Sequence, residues 1–272
     1  MKKSILFIFT ACFLFTTSCS DFLDEEHKTK YSSEYVFGTP EGLKLAVNAL
    51  YALQRYYAND TENATIFALE RGTDLAVTNG GTGNFYGIYD PNYLKPSASQ
   101  VGFMWRTMYQ IIGKANEIIA AAEDLEDTPS LRATVSEAKC FRAQSYFLLY
   151  RTFDRIWLNI QPTTAENVND PRDFHAASEK EVFDLIYEDL EYAITNLDWV
   201  SDEAGRFTQA AARHMKAKAA LWLKDWDTTL EQVGEIEKSG HFALIALNEV
   251  FNARDLNHKE ALMVQQWSKN PG

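Results

Sequence analysis

The chain contains few of the residues on which small secreted scaffolds and fibrous proteins depend. Its 272 residues include three cysteines, 13 glycines and seven prolines. Three cysteines cannot build a disulfide framework, and so little glycine and proline excludes collagen-like and low-complexity proteins. With 46% hydrophobic and 13% aromatic residues, the chain must instead be held together by a packed core.

Positive charge is also scarce. The sequence has 26 lysines and arginines against 38 aspartates and glutamates, which gives a formal net charge of −12. An acidic protein is repelled by nucleic-acid phosphates and by anionic lipid surfaces. The composition therefore predicts no nucleic-acid partner and leaves neutral or cationic partners open.

Motifs for metal binding and catalysis are missing as well. The five histidines show no i, i+3 or i, i+4 pairing and have no nearby cysteine, so we predict no metal site. The sequence GGTG at 80–83 is not followed by Lys-Ser/Thr, which favours a flexible loop over a phosphate loop. The carboxylates Glu188, Asp189 and Glu191 are interpreted as a solvated helix face. Without a nucleophile elbow or triad spacing, the sequence predicts a protein that is not an enzyme and has no cofactor.

The first nineteen residues have the order of a bacterial export signal. Lys2 and Lys3 precede an apolar run at 5–15, and short polar residues then lead to Cys19. This run is about half as long as the roughly twenty residues that a membrane-crossing helix needs. We therefore predict a cleaved lipoprotein signal peptide at 1–18.

Cys19 resembles the cysteine of a lipobox, whose thiol receives a lipid. Thr16 departs from the leucine that is usual three residues before that cysteine, and ordinary cleavage after Ser18 is the alternative. If Cys19 is lipidated, it anchors the chain to a membrane through a polar tether at 19–38. Cys140 is then the only remaining thiol and is predicted to be an inert core residue.

The remainder is predicted to be all-α. Thr39 and Thr128 each precede a proline at the first helical position, and Ser178 with Glu181 forms a capping box. Apolar residues recur at helical spacing behind these starts. The predicted helices cover about 40–57, 101–124, 129–153, 179–197, 209–224 and 226–239. A short strand is expected at 261–267.

The last two predicted helices resemble a tetratricopeptide-type hairpin. They occupy the 33 residues from Thr208 to Gly240, and the alanine-rich first helix allows its neighbour to approach closely. Such a hairpin cannot bury its face alone. We therefore expect the preceding helices to stack on it.

Two long irregular segments, at 73–100 and 154–177, interrupt the helices, and long loops in compact domains tend to be functional. The first combines four glycines with aromatic and amide side chains: Asn84, Phe85, Tyr86, Tyr89, Asn92 and Tyr93. Aromatic platforms flanked by amides suit sugar rings, which present apolar C–H faces edged by hydroxyls. The alternative is that Phe85 and Tyr89 pin the loop onto the helices. Three tryptophans are interpreted as packing residues: Trp157, Trp222 and Trp226.

Five segments, in this order along the chain, resemble the SusD/RagB family of outer-membrane nutrient-binding lipoproteins. They are CSDFLD at 19–24, WRTMY at 105–109 with AN at 115–116, EAKCFRA at 137–143 with YFLLY at 146–150, EDLEYAI at 188–194, and GRFT at 205–208 with the stretch 217–226. The sequence departs from the family where FDRIW at 153–157 replaces the common Phe-Gly-Asp-Val-Pro. It also has Lys224 where a glycine usually joins the hairpin helices, so that turn must form without a residue that tolerates positive φ freely.

The resemblance implies a SusD-like helical domain at 39–272 and a lipoprotein anchored to the outer membrane, facing outward. Such a protein captures an oligosaccharide or similar nutrient and passes it to a SusC-like TonB-dependent transporter, over which it acts as a lid. The alternative is a tetratricopeptide-like structural or adaptor lipoprotein that grips a protein or peptide and binds no sugar. The resemblance covers only the N-terminal part of the family's usual length, so the chain is expected to be truncated at its C-terminus.

Overall fold

A computed structural model describes residues 31–59, 95, 99–153, 155–171, 174–250 and 257–265. The chain divides into a short N-terminal unit, residues 1–33, and a compact unit, residues 34–272. The predicted signal peptide and Cys19 lie outside the described residues. The fold discussed below is that of the compact unit.

Helices dominate the described ranges. They are α1 (Ser33–Gly38), α2 (Pro40–Asn59), α3 (Ser99–Ala122), α4 (Pro129–Thr152), α5 (Glu179–Asn196), α6 (Gln209–Trp222), α7 (Trp226–Lys238) and α8 (Leu247–Val250). No strand occurs in this part of the chain. The predicted all-α class is therefore confirmed, and each of the six predicted helices is found within a few residues of its expected bounds.

Side-chain caps fix where these helices begin. The Thr39 hydroxyl accepts a hydrogen bond from the Gly42 amide at 3.0 Å, and Thr128 caps α4 in the same way, with proline next in both cases. At α5, Ser178 and Glu181 form the predicted reciprocal capping box. Each cap satisfies amides that the first helical turn leaves without a partner.

The helices stack in chain order, and α4 lies at the centre of the core. It packs against α3 and α5, while α2 packs against α3 and α4, and α6 packs between α5 and α7. The largest fully buried side chains are Tyr146, Phe141, Leu43, Leu50, Ile111, Ile112, Ile118, Leu149, Ile186, Leu190, Val47 and Val182. Cys140 is also fully buried, as predicted, and burial raises the pKa of its thiol.

The hairpin of α6 and α7 has the expected form. Lys224 adopts φ of 61°, so a side-chain-bearing residue occupies the left-handed turn where glycine would be unstrained. Gly240, at φ of 70°, follows the end of α7. The packing interpretation of Trp226 is wrong, because 58% of its surface is exposed. For Trp222 it is correct in part: the ring makes a T-shaped contact with Phe147, but 47% of its surface is exposed.

The predicted strand at 261–267 is not found in its described part. Residues 261–265 are irregular. Just before them, the Lys259 carbonyl accepts one backbone hydrogen bond, from the Ala243 amide at 3.1 Å. Within the run, Met263 packs against the core. An apolar run becomes a strand only where another strand offers a ladder, and the described residues offer none.

Candidate functional site

The two irregular segments differ in what the structure describes. The six candidate binding residues of the first segment lie outside the described residues: Asn84, Phe85, Tyr86, Tyr89, Asn92 and Tyr93. The second segment is described at 155–171 and 174–177. The geometry of a candidate site is therefore built from this second segment and the helices beneath it.

Two tyrosines, the half-buried Tyr109 and the fully buried Tyr146, hold the start of the segment in place. The Tyr109 hydroxyl donates to the Trp157 carbonyl at 2.8 Å and accepts from the Trp157 amide at 2.9 Å. Tyr146 bonds the carbonyl and the amide of Asn159 in the same way, both at 2.8 Å. Burial raises the pKa of both tyrosines, so each hydroxyl keeps the proton that it donates. The backbone of an irregular segment is thus satisfied by side chains in place of a neighbouring strand.

A third anchor connects the segment to the core. Asn116 donates its side-chain amide to the Asn159 carbonyl at 2.8 Å. Its carbonyl oxygen accepts from the Arg142 guanidinium at 2.8 Å. Further along, the Ala177 amide donates to the Ile156 carbonyl at 2.9 Å, which closes the segment on itself. These bonds fix the segment to α3 and α4.

A row of aromatic rings runs from α3 onto the anchored segment. We define the aromatic row as Trp105, Tyr109, Trp157 and Phe174. Its successive ring centroids lie 4.8, 6.4 and 4.9 Å apart. Trp157 is half-buried and Phe174 is 69% exposed. The packing interpretation of Trp157 is therefore correct only in part, because its ring both rests on Tyr109 and reaches the surface.

Sequence reasoning located this segment by its length but missed the row. Phe174 carried no motif, and Tyr109 belongs to a helix 48 residues before Trp157. At these spacings the rings contact one another, and the faces left open to a ligand are those of Phe174 and of part of Trp157. Exposed aromatic faces of this kind suit the apolar C–H face of a sugar ring.

Two further features are absent from the part of the chain that the structure describes. No group of three or more His, Cys, Asp or Glu side chains there could hold a metal ion. No described helix combines the length and apolar character that crossing a bilayer requires.

Comparison with known proteins identifies a family. Residues 21–221 match the family model SusD-like_3, described as "Starch-binding associating with outer membrane". A SusD-like protein of Bacteroides ovatus is 26% identical over 98% of the chain and 50% of its own length. The chain spans about half the length of the curated relatives it matches.

Solved structures share the fold. The surface glycan-binding protein A of Bacteroides fluxus superposes with a TM-score of 0.70 at 22% identity, over 83% of this chain and 50% of that one. A laminarin-binding SusD-like protein gives a TM-score of 0.64 at 25% identity, over 76% of this chain and 45% of that one. The helical stack described above is therefore the one seen in these proteins.

Proposed function

The chain belongs to the SusD-like family, and on that premise we propose that it binds a glycan at the outer membrane for uptake. The observation that carries this proposal is the family match, together with structural relatives whose names state glycan and laminarin binding. The proposed role is capture and not catalysis.

The aromatic row supplies the physical basis for glycan binding in the described residues. Its exposed part, Trp157 and Phe174, lies on a segment that two tyrosines and one asparagine anchor to the helices, so little conformational entropy remains to be lost on binding. We further propose that the loop residues Asn84, Phe85, Tyr86, Tyr89, Asn92 and Tyr93 form another part of the sugar site. Enclosure from more than one side is what gives a small-molecule site its affinity.

The setting of this activity is part of the same proposal. A lipid on Cys19 would anchor the chain to the outer membrane, facing outward, and a SusC-like TonB-dependent transporter would receive the glycan. Changing Cys19 to Ala should then move the protein from the membrane fraction to the soluble fraction, since one lipidated terminus is the proposed anchor. Unchanged retention in the membrane would overturn the anchor.

A second candidate function is an adaptor that binds a protein or peptide. It is favoured by the exposed apolar side chains of the last hairpin, where Trp226, Leu230 and Val233 all lie largely outside the core. Tetratricopeptide-type hairpins use such faces to stack or to hold partners. Glycan binding distinguishes the two candidates, because an adaptor requires none.

The decisive experiment is binding of the purified chain to a glycan array that includes laminarin oligosaccharides, followed by calorimetry of any glycan retained. Trp157→Ala and Phe174→Ala should each weaken binding about tenfold, since an aromatic contact is worth about 1 kcal/mol or more. Tyr86→Ala and Tyr89→Ala should weaken it too. Trp226→Ala is the matched control, because this exposed tryptophan lies on the last hairpin, outside the aromatic row.

Two outcomes contradict the proposal at different levels. If no glycan binds, the family role does not hold for this chain. If a glycan binds but Trp226→Ala weakens it as much as Trp157→Ala, the aromatic row is not the site.

A further inference from the structure

The described residues enclose a cavity of about 320 Å³ that shares no lining residue with the aromatic row. We call it the α2 pocket. Its lining combines α2, the turn before α6 and the last described segment: Asn48, Tyr51, Ala52, Gln54, Arg55, Glu203, Ala204, Gly205, Arg206, Met263 and Gln265. Three carboxamides and two arginines in one small cavity make it a polar site.

The floor of the α2 pocket is a tightly connected group of side chains. Tyr51 donates its hydroxyl hydrogen to Glu137 and accepts from the Phe207 amide at 2.7 Å. The Arg206 guanidinium lies over the Tyr51 ring, 5.1 Å from its centroid, and pairs with Glu137 at 3.2 Å. These contacts join α2, α4 and the turn before α6, so the floor is in place before any ligand arrives.

The carboxylates at the pocket are already neutralised. Glu203 receives hydrogen bonds from Lys44 at 2.8 Å and from Arg206 at 2.9 Å. These hydrogen bonds hold the pKa of Glu203 below its ordinary value. Since Arg206 and Lys44 balance Glu137 and Glu203, Arg55 adds an uncompensated positive charge. The pocket is locally cationic in a chain whose net charge is −12.

Two side chains at the pocket supply hydrogen-bond donors that no acidic side chain engages. The side-chain nitrogen of Gln265 is buried and has no hydrogen-bond partner. Arg55 forms no ion pair with any residue in the described ranges, and its side chain is exposed. A buried donor without an acceptor costs free energy that a bound acceptor would recover. An amide donor and a guanidinium that line one cavity favour an anionic oxygen ligand.

We propose that the α2 pocket binds a monosaccharide acid, with Arg55 and Gln265 donating to its carboxylate. Asn48 and Gln54 line the same cavity and bring carboxamides that can bond ring hydroxyls. Gln54 donates its side-chain amide to Gln144 at 2.8 Å, which fixes its orientation. The volume lies at the lower end of small-molecule sites, which suits one sugar ring. The assignment does not depend on glycan binding at the aromatic row.

Calorimetry of the purified full chain with glucuronate, glucose and acetate tests the assignment. Glucuronate and glucose share a ring and differ in the carboxylate, while acetate supplies the carboxylate alone. Glucuronate should bind at least tenfold more tightly than either, because only glucuronate satisfies both the donors and the carboxamides. Equal affinity for glucose would overturn the role of the carboxylate, and equal affinity for acetate would overturn the role of the ring.

Variants then locate the binding. Arg55→Gln and Gln265→Leu should each raise the glucuronate Kd about tenfold. Arg106→Gln is the matched control, because Arg106 is also an exposed helical arginine but does not line the α2 pocket. Thermal melts confirm that each variant is folded. Glucuronate binding that neither pocket variant weakens, or that Arg106→Gln weakens equally, would place the site elsewhere and overturn the proposal.

Discussion

Arg142 on α4 and Asp189 on α5 form a bidentate ion pair that is shielded from solvent. Arg142 Nε donates to Asp189 Oδ2 at 2.7 Å, and Arg142 Nη2 donates to Oδ1 at 2.7 Å. Lys139 adds a second cation at 2.8 Å. Burial alone would lower the pKa of Arg142, but the hydrogen bonds and charge of Asp189 outweigh it and raise the pKa. The third guanidinium nitrogen, Nη1, donates to the side-chain carbonyl of Asn116, so the same network supports the segment that carries Trp157.

Removing the carboxylate of this network should strongly destabilise the fold. Asp189→Ala leaves two buried cations without their partner, and breaking a buried pair on one side costs about 3–5 kcal/mol. Glu188→Ala is the control, since its side chain on the same helix is exposed and surface changes cost at most about 0.5 kcal/mol. Urea unfolding followed by circular dichroism measures both. Equal stability of the two variants would show that the network is not a stabilising centre.

The thiol of Cys140 should be unreactive in the folded protein. It is fully buried, and burial together with the charges of Glu137 and Asp189 raises its pKa, which lowers the fraction of reactive thiolate. In a variant with Cys12 and Cys19 changed to Ser, Cys140 is the only thiol. A chromogenic thiol reagent should label it slowly in buffer and fast in denaturant. Fast labelling of the native protein would contradict its burial.

Stability should depend on the protonation of Glu137. Burial raises the pKa of this carboxyl above the ordinary value of 4.5. The folded state therefore binds this proton more tightly than the unfolded state, and the resulting stabilisation is complete below pH 4.5 and lost as the pH rises through the raised value. Glu137→Gln removes this titration. The unfolding free energy of the wild type relative to Glu137→Gln should fall with pH over that window, and a constant difference would contradict the raised pKa.

The tyrosine anchors should control how firmly the 155–161 segment is held. Tyr146→Phe removes both bonds to Asn159, leaving a buried amide and carbonyl with fewer partners, at a cost of about 1–3 kcal/mol. Trypsin should then cleave after Arg155 faster than in the wild type, since local opening becomes easier. Tyr56→Phe serves as the control because Tyr56 is 60% exposed. An unchanged cleavage rate in Tyr146→Phe would mean that the other contacts hold the segment by themselves.

The helix starts could be predicted because their signals are local. Thr128 with its proline, and Ser178 with Glu181, satisfy the first amides of their own helices within three residues.

The helical spacing around Asp189 also indicated that this residue is buried. It lies three residues after Ile186 and four before Ala193, on the buried stripe of α5, so its interpretation as part of a solvated face was wrong, while Glu188 and Glu191 are exposed as expected.

The sequence by itself determined the all-helical class, the helix bounds to within a few residues, and the family. Helix caps and apolar periodicity depend on residues close together in the chain, and the family motifs can be recognised from their order along it. Tertiary structure alone decided that Asp189 has two buried cations, that Trp157 rests on Tyr109, and that Arg55 and Gln265 line one cavity. Each of these pairings joins residues tens or hundreds of positions apart. The physical reason is that burial and charge compensation depend on which helix faces meet, and local propensity carries no information about that.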